Sequence, residues 1–349
     1  RGLDGMGNRY TAMIAGAGVT YKATKAVMDS AALDKMLARV ANTAGATAQQ
    51  SRGLRSELYD MAKQTGQSVD ELLQGFYALV QSGQSWDEAL ATIKAINPAM
   101  AVTGASAETL ASGMTVAAQS FGFDLSDLKT AKLMLDQMYA AGNLGNAELE
   151  NLADIFARVG NNAKTAGLSF EGTLAFIERM SLVEKQPERL ATLTDSTLRL
   201  FTNQKYMTKA AKVTGVNFYD AKGERRAMFD VLADIRDRYQ KFKTSAEKDK
   251  AFSAAFGDTD LDTQRGLRIF LDADTIDEAR TFSGEIKESA GLIAQKLPSA
   301  VANAVDQTAR LKAELGKAAD AFAQPINDVI EDGIKYILDT QQIGGKELL

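Results

Sequence analysis

A short pattern recurs along this sequence: a glycine, one or two further residues, a serine or aspartate, and then an acidic residue. Glycine just after a helix tolerates the left-handed conformation that satisfies the last carbonyl groups, while Ser or Asp accepts hydrogen bonds from the first amides of the next helix. Acidic side chains there suit the positive end of the helix dipole. The pattern therefore predicts an array of short helices joined by tight turns, and its copies begin at Gly66, Gly83, Gly104, Gly122 and Gly167.

The spacing and the composition of the apolar residues predict a helical core. Between Gly53 and Leu200, apolar side chains recur every three or four residues, which places them on one face of each helix. Of the 349 residues 45% are hydrophobic but only 7% are aromatic, so we expect Ala, Leu and Met rather than rings to fill this core. Two of the clearest stripes are Leu72, Leu73, Phe76, Leu79 and Val80, and Leu149, Leu152, Ile155, Phe156 and Val159.

One segment, at about residues 213–229, departs from the helical period. Its polar and apolar residues alternate imperfectly, several are β-branched or aromatic, and Asp220-Ala-Lys-Gly223 has the glycine that a tight turn needs. We expect a small β-hairpin in this segment. Helices are predicted to resume at residues 230–242 and 247–256.

The C-terminal part is predicted to form long helices from about residue 281 to residue 338, restarted at Pro298. A seven-residue apolar register runs through it, as in a coiled coil or a helical bundle. This register defines a possible oligomer seam, although packing within one chain explains the same pattern about equally well. The seam residues are Leu297, Val301, Leu311, Leu315 and Phe322.

These patterns together predict a mainly α fold in four segments. Residues 1–52 are an Ala- and Gly-rich N-terminal helix or linker, and residues 53–200 are a helical core. Residues 201–280 form a helical subdomain that contains the hairpin, and residues 281–349 form the long C-terminal helical segment. The sequence begins with Arg1 rather than Met, so we expect it to be part of a longer polypeptide.

The chain contains neither cysteine nor histidine. It therefore lacks the residues for Ser-His-Asp or Cys-His catalysis, for a histidine general base, and for thiolate or imidazole ligands to zinc. We predict that it is not an enzyme, with no catalytic residue, no cofactor and no cofactor-binding residue. The formal net charge of -5 at pH 7 argues against nucleic acid or an anionic membrane as the dominant partner.

Three alternating carboxylates, in Asp258-Thr-Asp260-Leu-Asp262, have the spacing that opens a calcium-binding loop. The loop would need a glycine at the sixth position and a glutamate at the twelfth, where this chain has Thr263 and Ile269. We therefore predict no metal site, and interpret the segment as the capped start of a helix.

Basic residues outnumber acidic ones between Arg199 and Lys243, and aromatic residues lie among them. Such a stretch could contact a phosphate backbone. A solvated helix face or a contact with an acidic protein lumen explains it better. We accordingly predict no specific nucleic-acid partner.

The order of these parts resembles the core region of phage tail tape measure proteins over about residues 53–330. The resemblance rests on the glycine-capped helices, on the segment from Gly215 to Gly223 that leads into residues 229–235, and on Arg310-Leu-Lys-Ala-Glu-Leu-Gly316 with Pro325 after it. Each motif is only a cap, a turn or an amphipathic stripe, so the specificity lies in their order. Such proteins often carry a long hydrophobic segment and very long helices, which this sequence lacks.

The resemblance implies a structural protein of the virion without catalytic residues. A tape measure protein occupies the growing tail tube, sets the tail length, nucleates assembly from the tip, and leaves the tube ahead of the DNA during genome ejection. The resemblance also implies a homo-oligomer of three or six copies. The implied partners are the tail tube protein, tail tip or baseplate hub proteins and tail assembly chaperones, with the protein in the tail lumen or at the tip, and in the host cytoplasm during assembly.

The size of a compact chain conflicts with a position inside a narrow tube. A compact domain of this length would have a radius of gyration of about 20 Å and be about 50 Å across, wider than a channel that passes duplex DNA. We hypothesise that the region lies at the tail tip or becomes more extended inside the tube. The alternative function is a helical interaction scaffold or adaptor module unrelated to viruses.

Overall fold

A computed structural model describes residues 30–272 and 274–302, together with residues 313, 317 and 320. This part of the chain is mainly helical, as predicted. Helix α1 covers the described residues 30–44. The later helices are α2 (Ala48–Thr65), α3 (Val69–Gln81), α4 (Trp86–Thr103), α5 (Ala107–Phe121), α6 (Leu128–Leu144), α7 (Leu149–Thr165), α8 (Phe170–Ser181), α9 (Pro187–Thr202), α10 (Gln204–Thr214), α11 (Met228–Tyr239), α12 (Ser245–Phe256), α13 (Leu261–Phe270), α14 (Thr275–Lys287) and α15 (Leu292–Ala300).

The predicted helix-end signals are confirmed. The five glycines of the recurring pattern all have left-handed backbone angles, with φ between 76° and 91°. Ser85 begins α4 with a reciprocal cap: its amide donates to Glu88 Oε2 at 2.7 Å, and its Oγ accepts from the Glu88 amide at 3.3 Å. Ser106 and Ser169 cap α5 and α8 through their Oγ atoms alone, which accept from the amides of Thr109 and Gly172. Local residue chemistry therefore determines where most of these helices begin and end.

The chain divides into two compact units, Gln74–Val301, and Arg1–Leu73 with Ala302–Leu349. In the second of these, Arg55 on α2 is the central polar residue, with a side chain that is 7% exposed. Its guanidinium pairs with Asp34 of α1 at 2.8 Å and with Asp320 at 3.2 Å. Contacts of this unit therefore join residues more than 250 positions apart in sequence. The four-segment division of the chain stays a prediction.

In the unit Gln74–Val301, small residues let helices approach closely. A Cβ atom on Gly113 of α5 would lie 2.7 Å from the carbonyl oxygen of Ala153 on α7 and 2.9 Å from its Cα. At a second crossing, Gly266 of α13 packs against Thr197 of α9. Thr263 Oγ1 also donates there to the carbonyl of Ser196 at 2.6 Å. Backbone-to-backbone contact of this kind is available only to helices with Gly or Ala at the crossing point.

The predicted apolar stripes lie in the core, and Ala, Leu and Met make up most of the described buried hydrophobic residues, as expected. Leu72, Phe76, Leu152 and Phe156 are fully buried. Seven of the phenylalanines form two clusters in the unit Gln74–Val301. The first comprises Phe121, Phe123, Phe156 and Phe170, and the second comprises Phe176, Phe229 and Phe270.

The predicted β-hairpin at residues 213–229 is wrong. This segment contains the end of α10, the start of α11 and a turn whose one bridge pairs Tyr219 with Arg225. The bridge does not extend because side chains support the neighbouring backbone: the Val216 amide donates to Thr214 Oγ1 at 3.2 Å, and Asp220 Oδ1 accepts from the Glu224 amide at 2.8 Å. The backbone bonds across the turn are few, from the Asp220 amide to the Glu224 carbonyl at 2.8 Å and from the Arg226 amide to the Phe218 carbonyl at 3.1 Å. Burial of Phe218 against Phe201 adds to them.

The predicted long helix that begins near residue 281 is also wrong within the described residues. The chain breaks after α14, and α15 begins only after Gly291, whose φ is 85°. Pro298 does not restart the helix, because it lies inside α15. Proline late in a nine-residue helix removes few hydrogen bonds, so the left-handed glycine is the stronger interruption.

We predict that Gly113→Ala destabilises the protein whereas Gly284→Ala stabilises it. Both glycines lie inside helices, so both variants gain up to about 1 kcal/mol of helix propensity. Gly284 has no atom within 4 Å of an added Cβ, but at Gly113 the backbone of α7 must move, which costs about 1–3 kcal/mol. Urea unfolding of the two variants measures the difference, and equal stabilisation of both would contradict the close crossing of α5 and α7.

Candidate functional site

A buried carboxylate of α6 caps α15, the helix on which the predicted seam begins. Asp136 of α6 is 6% exposed. Its Oδ2 accepts a hydrogen bond from the Gly291 amide at 2.7 Å, and its Oδ1 accepts one from the Ile293 amide at 2.9 Å. Both amides belong to the N-terminus of α15, so Asp136 caps a helix that lies 155 residues further along the chain.

The sequence around α15 explains why a distant residue caps this helix. The residue at its N-cap position is Gly291, which has no side chain with which to accept the first amides. A carboxylate satisfies these donors and also interacts favourably with the positive end of the helix. Two backbone amides compensate the cost of burying the Asp136 carboxylate. The contact therefore fixes where α15 starts and the direction in which α15 runs from α6.

Two of the five predicted seam residues lie in the described part of the chain. Leu297 is half-buried on α15, and Val301, one helical turn later, is 8% exposed. Both therefore already pack against their own chain to some degree. The other three, Leu311, Leu315 and Phe322, lie outside the described residues, so the seam stays a prediction.

Two charged residues of the predicted C-terminal helix contact α2 in the unit that contains both. Lys317 Nζ pairs with Asp60 at 2.6 Å. Asp320, which is 5% exposed, pairs with the buried guanidinium of Arg55. Removal of one partner from a buried pair leaves an uncompensated charge, so this contact is specific.

A second buried carboxyl group, Glu178 of α8, holds the linker between α6 and α7. Its Oε2 accepts from the Ala147 amide at 3.2 Å and from Ser181 Oγ at 2.9 Å. Ser181 Oγ in turn accepts from the Asn146 amide at 2.8 Å. Burial raises the pKa of Glu178 to about 8, more than these hydrogen bonds lower it. Its Oε1 is buried and has no partner among the described residues, which fits a protonated carboxyl group.

The three alternating carboxylates lie at the start of a helix, as interpreted from the sequence. Asp260 is the N-cap residue of α13 and accepts from the Thr263 amide at 2.9 Å. Asp258 pairs with Lys209 of α10 at 2.7 Å, which lowers the pKa of Asp258. In the described part of the chain, no three potential ligand side chains cluster as a metal site requires.

Comparison with known proteins assigns the family. A family model described as phage-related minor tail protein matches residues 55–257 of this chain. The chain belongs to the phage-related minor tail protein family. The matched region begins within α2 and covers α3 through α12, and thus includes Asp136 and Glu178 but ends before α15.

This minor tail protein is also similar to a tape measure protein of Pneumococcus phage Dp-1. The two sequences are 24% identical over 334 residues, which cover 93% of this chain but 28% of the phage Dp-1 protein. The resemblance to tape measure proteins is therefore confirmed, and the chain corresponds to little more than a quarter of that relative. No solved structure matches the chain.

Membership of the family makes this chain part of a structural protein of the phage tail. In the residues that the structure describes, no helix is both long and apolar enough to cross a membrane.

The three buried polar anchors of this minor tail protein were not identified from the sequence. Asp136, Glu178 and Arg55 each lie in a helix where an amphipathic pattern gives no special meaning to one charged residue. Gly291 offered a partial signal, because a helix that starts with glycine leaves its first amides without a local cap. The glycine indicates that the first amides of the helix require an acceptor, but it does not indicate which residue provides one.

We predict that Asp136→Ala loosens α15. The change leaves the Gly291 and Ile293 amides without their acceptor and costs about 1–3 kcal/mol, whereas Asp136→Asn retains one oxygen acceptor and costs less. Urea unfolding measures the free energy, and trypsin cleavage at Lys287 and Lys296 reports local opening. The control, Asp154→Ala, removes an exposed carboxylate paired with Arg158 and should cost at most about 0.5 kcal/mol. Equal costs for both alanine variants would contradict the capping role.

We predict that Glu178 makes this protein less stable as the pH rises from 5 to 8. Its pKa is about 8 when folded and near 4.5 when unfolded, so unfolding releases the bound proton and is favoured increasingly across this range. Glu178→Gln removes this dependence, worth a few kcal/mol, and should be the more stable form at pH 8. Urea unfolding at both pH values tests this, with exposed Glu285→Gln as control. If the stability of the wild type and that of the Glu178→Gln variant depended on pH in the same way, the proposed protonation would be excluded.

Proposed function

We propose that this chain is a folded, non-catalytic assembly segment of a phage tail tape measure protein. The observation that carries the proposal is the similarity of 93% of the chain to part of the phage Dp-1 tape measure protein. In this role the parent protein sets the tail length, nucleates the tail tube from the tip and takes part in genome ejection. The absence of cysteine and histidine from the sequence supports a role without catalysis.

The partners follow from this role. They are further copies of the same protein, in three or six copies, the tail tube protein, tail tip or baseplate hub proteins, and tail assembly chaperones, with no specific nucleic acid. We place the segment in the tail lumen or at the tail tip after assembly, and in the host cytoplasm before it. The compact folding of Gln74–Val301 supports the tip.

The helices of this segment suit assembly better than length measurement. The longest described helices, α2 and α4, have 18 residues and span about 27 Å at 1.5 Å per residue. Successive helices turn back at the glycine caps, so added residues do not add proportional length. We propose that long helices elsewhere in the parent protein provide the ruler.

Deletions in the phage genome distinguish a ruler from an assembly segment. Removal of a helical stretch elsewhere in the parent protein should shorten the tails by about 1.5 Å per residue. Removal of Gln74–Val301 should instead abolish infectious tails, because the folded unit would be lost. Electron microscopy of tail lengths and plaque counts measure both effects. Infectious particles with proportionally shorter tails after the second deletion would contradict the proposal.

We further propose that the seam residues mediate self-association. In the predicted helical register, positions 317 and 320 are about half a turn from positions 311, 315 and 322 at 100° per residue. The ion pairs of Lys317 and Asp320 with α2 therefore leave the seam side for another contact. The heptad spacing of the seam residues supports packing of the seam side against a second copy of the chain.

Replacement of Leu311 and Leu315 together by Asp tests the seam. Charges buried between chains cost several kcal/mol, so the variant should be monomeric by light scattering while the unmodified chain is a trimer or hexamer. The control, Lys296→Asp with Ser299→Asp, changes two exposed residues of α15 and should leave the mass unchanged. An unchanged mass for the Leu311 and Leu315 variant, with unchanged helicity, would disprove the seam.

A further inference from the structure

An apolar groove lies where α10, α11 and α12 meet. Its volume is about 470 Å³, within the range of about 300–1,000 Å³ that is typical of ligand pockets. Three buried side chains of α11 and α12, Ile235, Phe252 and Phe256, contribute to its lining. Ala251 and Ala254 of α12 keep the groove open, because a larger residue at either position would fill it.

Two large apolar side chains at this groove are left in contact with solvent. Val213 at the end of α10 is 46% exposed, and Phe242 after α11 is 40% exposed. Both line the groove. Single exposed apolar residues are ordinary, but two that border one apolar concavity form a continuous surface suited to a partner.

One lysine lines the groove, and three more are sequence neighbours of residues that line it. Lys212 adjoins Val213, Lys241 and Lys243 flank Phe242, and Lys250 lines the groove itself. All four side chains are exposed, and none forms an ion pair within the described residues. Their charges are therefore available to an acidic partner.

Acidic side chains near the groove offset only part of this charge. Glu247 is the carboxylate that lines it, and it accepts hydrogen bonds from the amides of Lys243 and Thr244 as part of the cap of α12. Asp237 and Asp249 nearby pair with Arg236 and Arg268. The surface thus combines an apolar floor with a rim on which exposed lysines outnumber the one lining carboxylate.

We propose that this groove binds an acidic amphipathic helix of a partner protein. A helix laid into a groove between helices inserts its apolar face and leaves its polar face at the rim. Acidic residues on that polar face would meet the four lysines, while the apolar face would cover Val213 and Phe242. The proposal does not depend on the tape measure role.

Duplex DNA is the competing occupant of a basic surface. Phosphate contacts require the lysines but make no use of an apolar floor. An amphipathic helix requires both the charges and the open groove. Variants that alter these two features separately therefore distinguish the two partners.

The probe is a fluorescein-labelled synthetic peptide of about 15 residues, with Leu at helical spacings of three and four and Glu and Ala elsewhere. The control peptide has Lys in place of each Glu. Fluorescence anisotropy with the full 349-residue chain should show the acidic peptide binding at least tenfold more tightly. We expect added salt to weaken this binding, because the rim charges are exposed. Equal binding of the two peptides would overturn the proposal.

Two chain variants test the rim and the floor. Lys241→Glu with Lys243→Glu should weaken binding of the acidic peptide at least tenfold. Ala254→Trp should do the same by filling the groove, and circular dichroism verifies that each variant is folded. The control, Lys132→Glu with Lys185→Glu, reverses two exposed lysines elsewhere and should leave binding unchanged. If both test variants bind the peptide as the unmodified chain does, the groove is not the site.

A labelled DNA duplex added in place of the peptide completes the test. We expect it to bind at least tenfold more weakly than the acidic peptide, and not to displace the peptide. DNA binding that is tighter than peptide binding, is lost in the Lys241 and Lys243 variant and persists in Ala254→Trp would assign the surface to phosphate contacts and reject the acidic helix.

Discussion

The structure depends on satisfying the polar groups at the ends of short helices. Each helix leaves its first amides and its last carbonyls without partners inside the helix, and the described helices α2 to α15 have 9 to 18 residues, so a large share of their backbone lies at an end. Helices of this length are marginal alone. Left-handed glycines and Ser or Asp caps satisfy these groups and reverse the chain within a few residues, which brings apolar faces such as those of α5 and α7 together.

Three buried charged or ionisable side chains then connect segments that lie too far apart in the sequence for local capping to join them. Asp136 supplies the cap that Gly291 lacks, Glu178 holds the α6–α7 linker, and Arg55 joins α1 and α2 to Asp320. Each would be costly if unpartnered, so each specifies one arrangement of its neighbours. Of these contacts, the Asp136 cap determines where α15 begins.

Sequence reasoning succeeded where the controlling interaction is local. The glycine caps at Gly66 and Gly104 and the N-cap at Asp260 involve residues within a few positions of one another, and the apolar stripes need only the helical period. It failed at residues 213–229, because β-branched and aromatic residues with a turn glycine also suit a loop held by Phe218. It also missed Asp136, whose partners lie 155 and 157 residues away, and it placed a helix break at Pro298 rather than at Gly291. The groove beside α12 could not be predicted, since it depends on how three helices meet.

The central claim is that Gln74–Val301 is a single packed helical unit rather than a string of separate extended helices. Native-state hydrogen exchange of the full chain tests this most directly, because packed helices that cover one another must open together. The account predicts that the slowest amides of α5, α7, α9 and α13 share one opening free energy, which denaturant lowers with one slope. Opening energies that differ from helix to helix, each near zero, would contradict it.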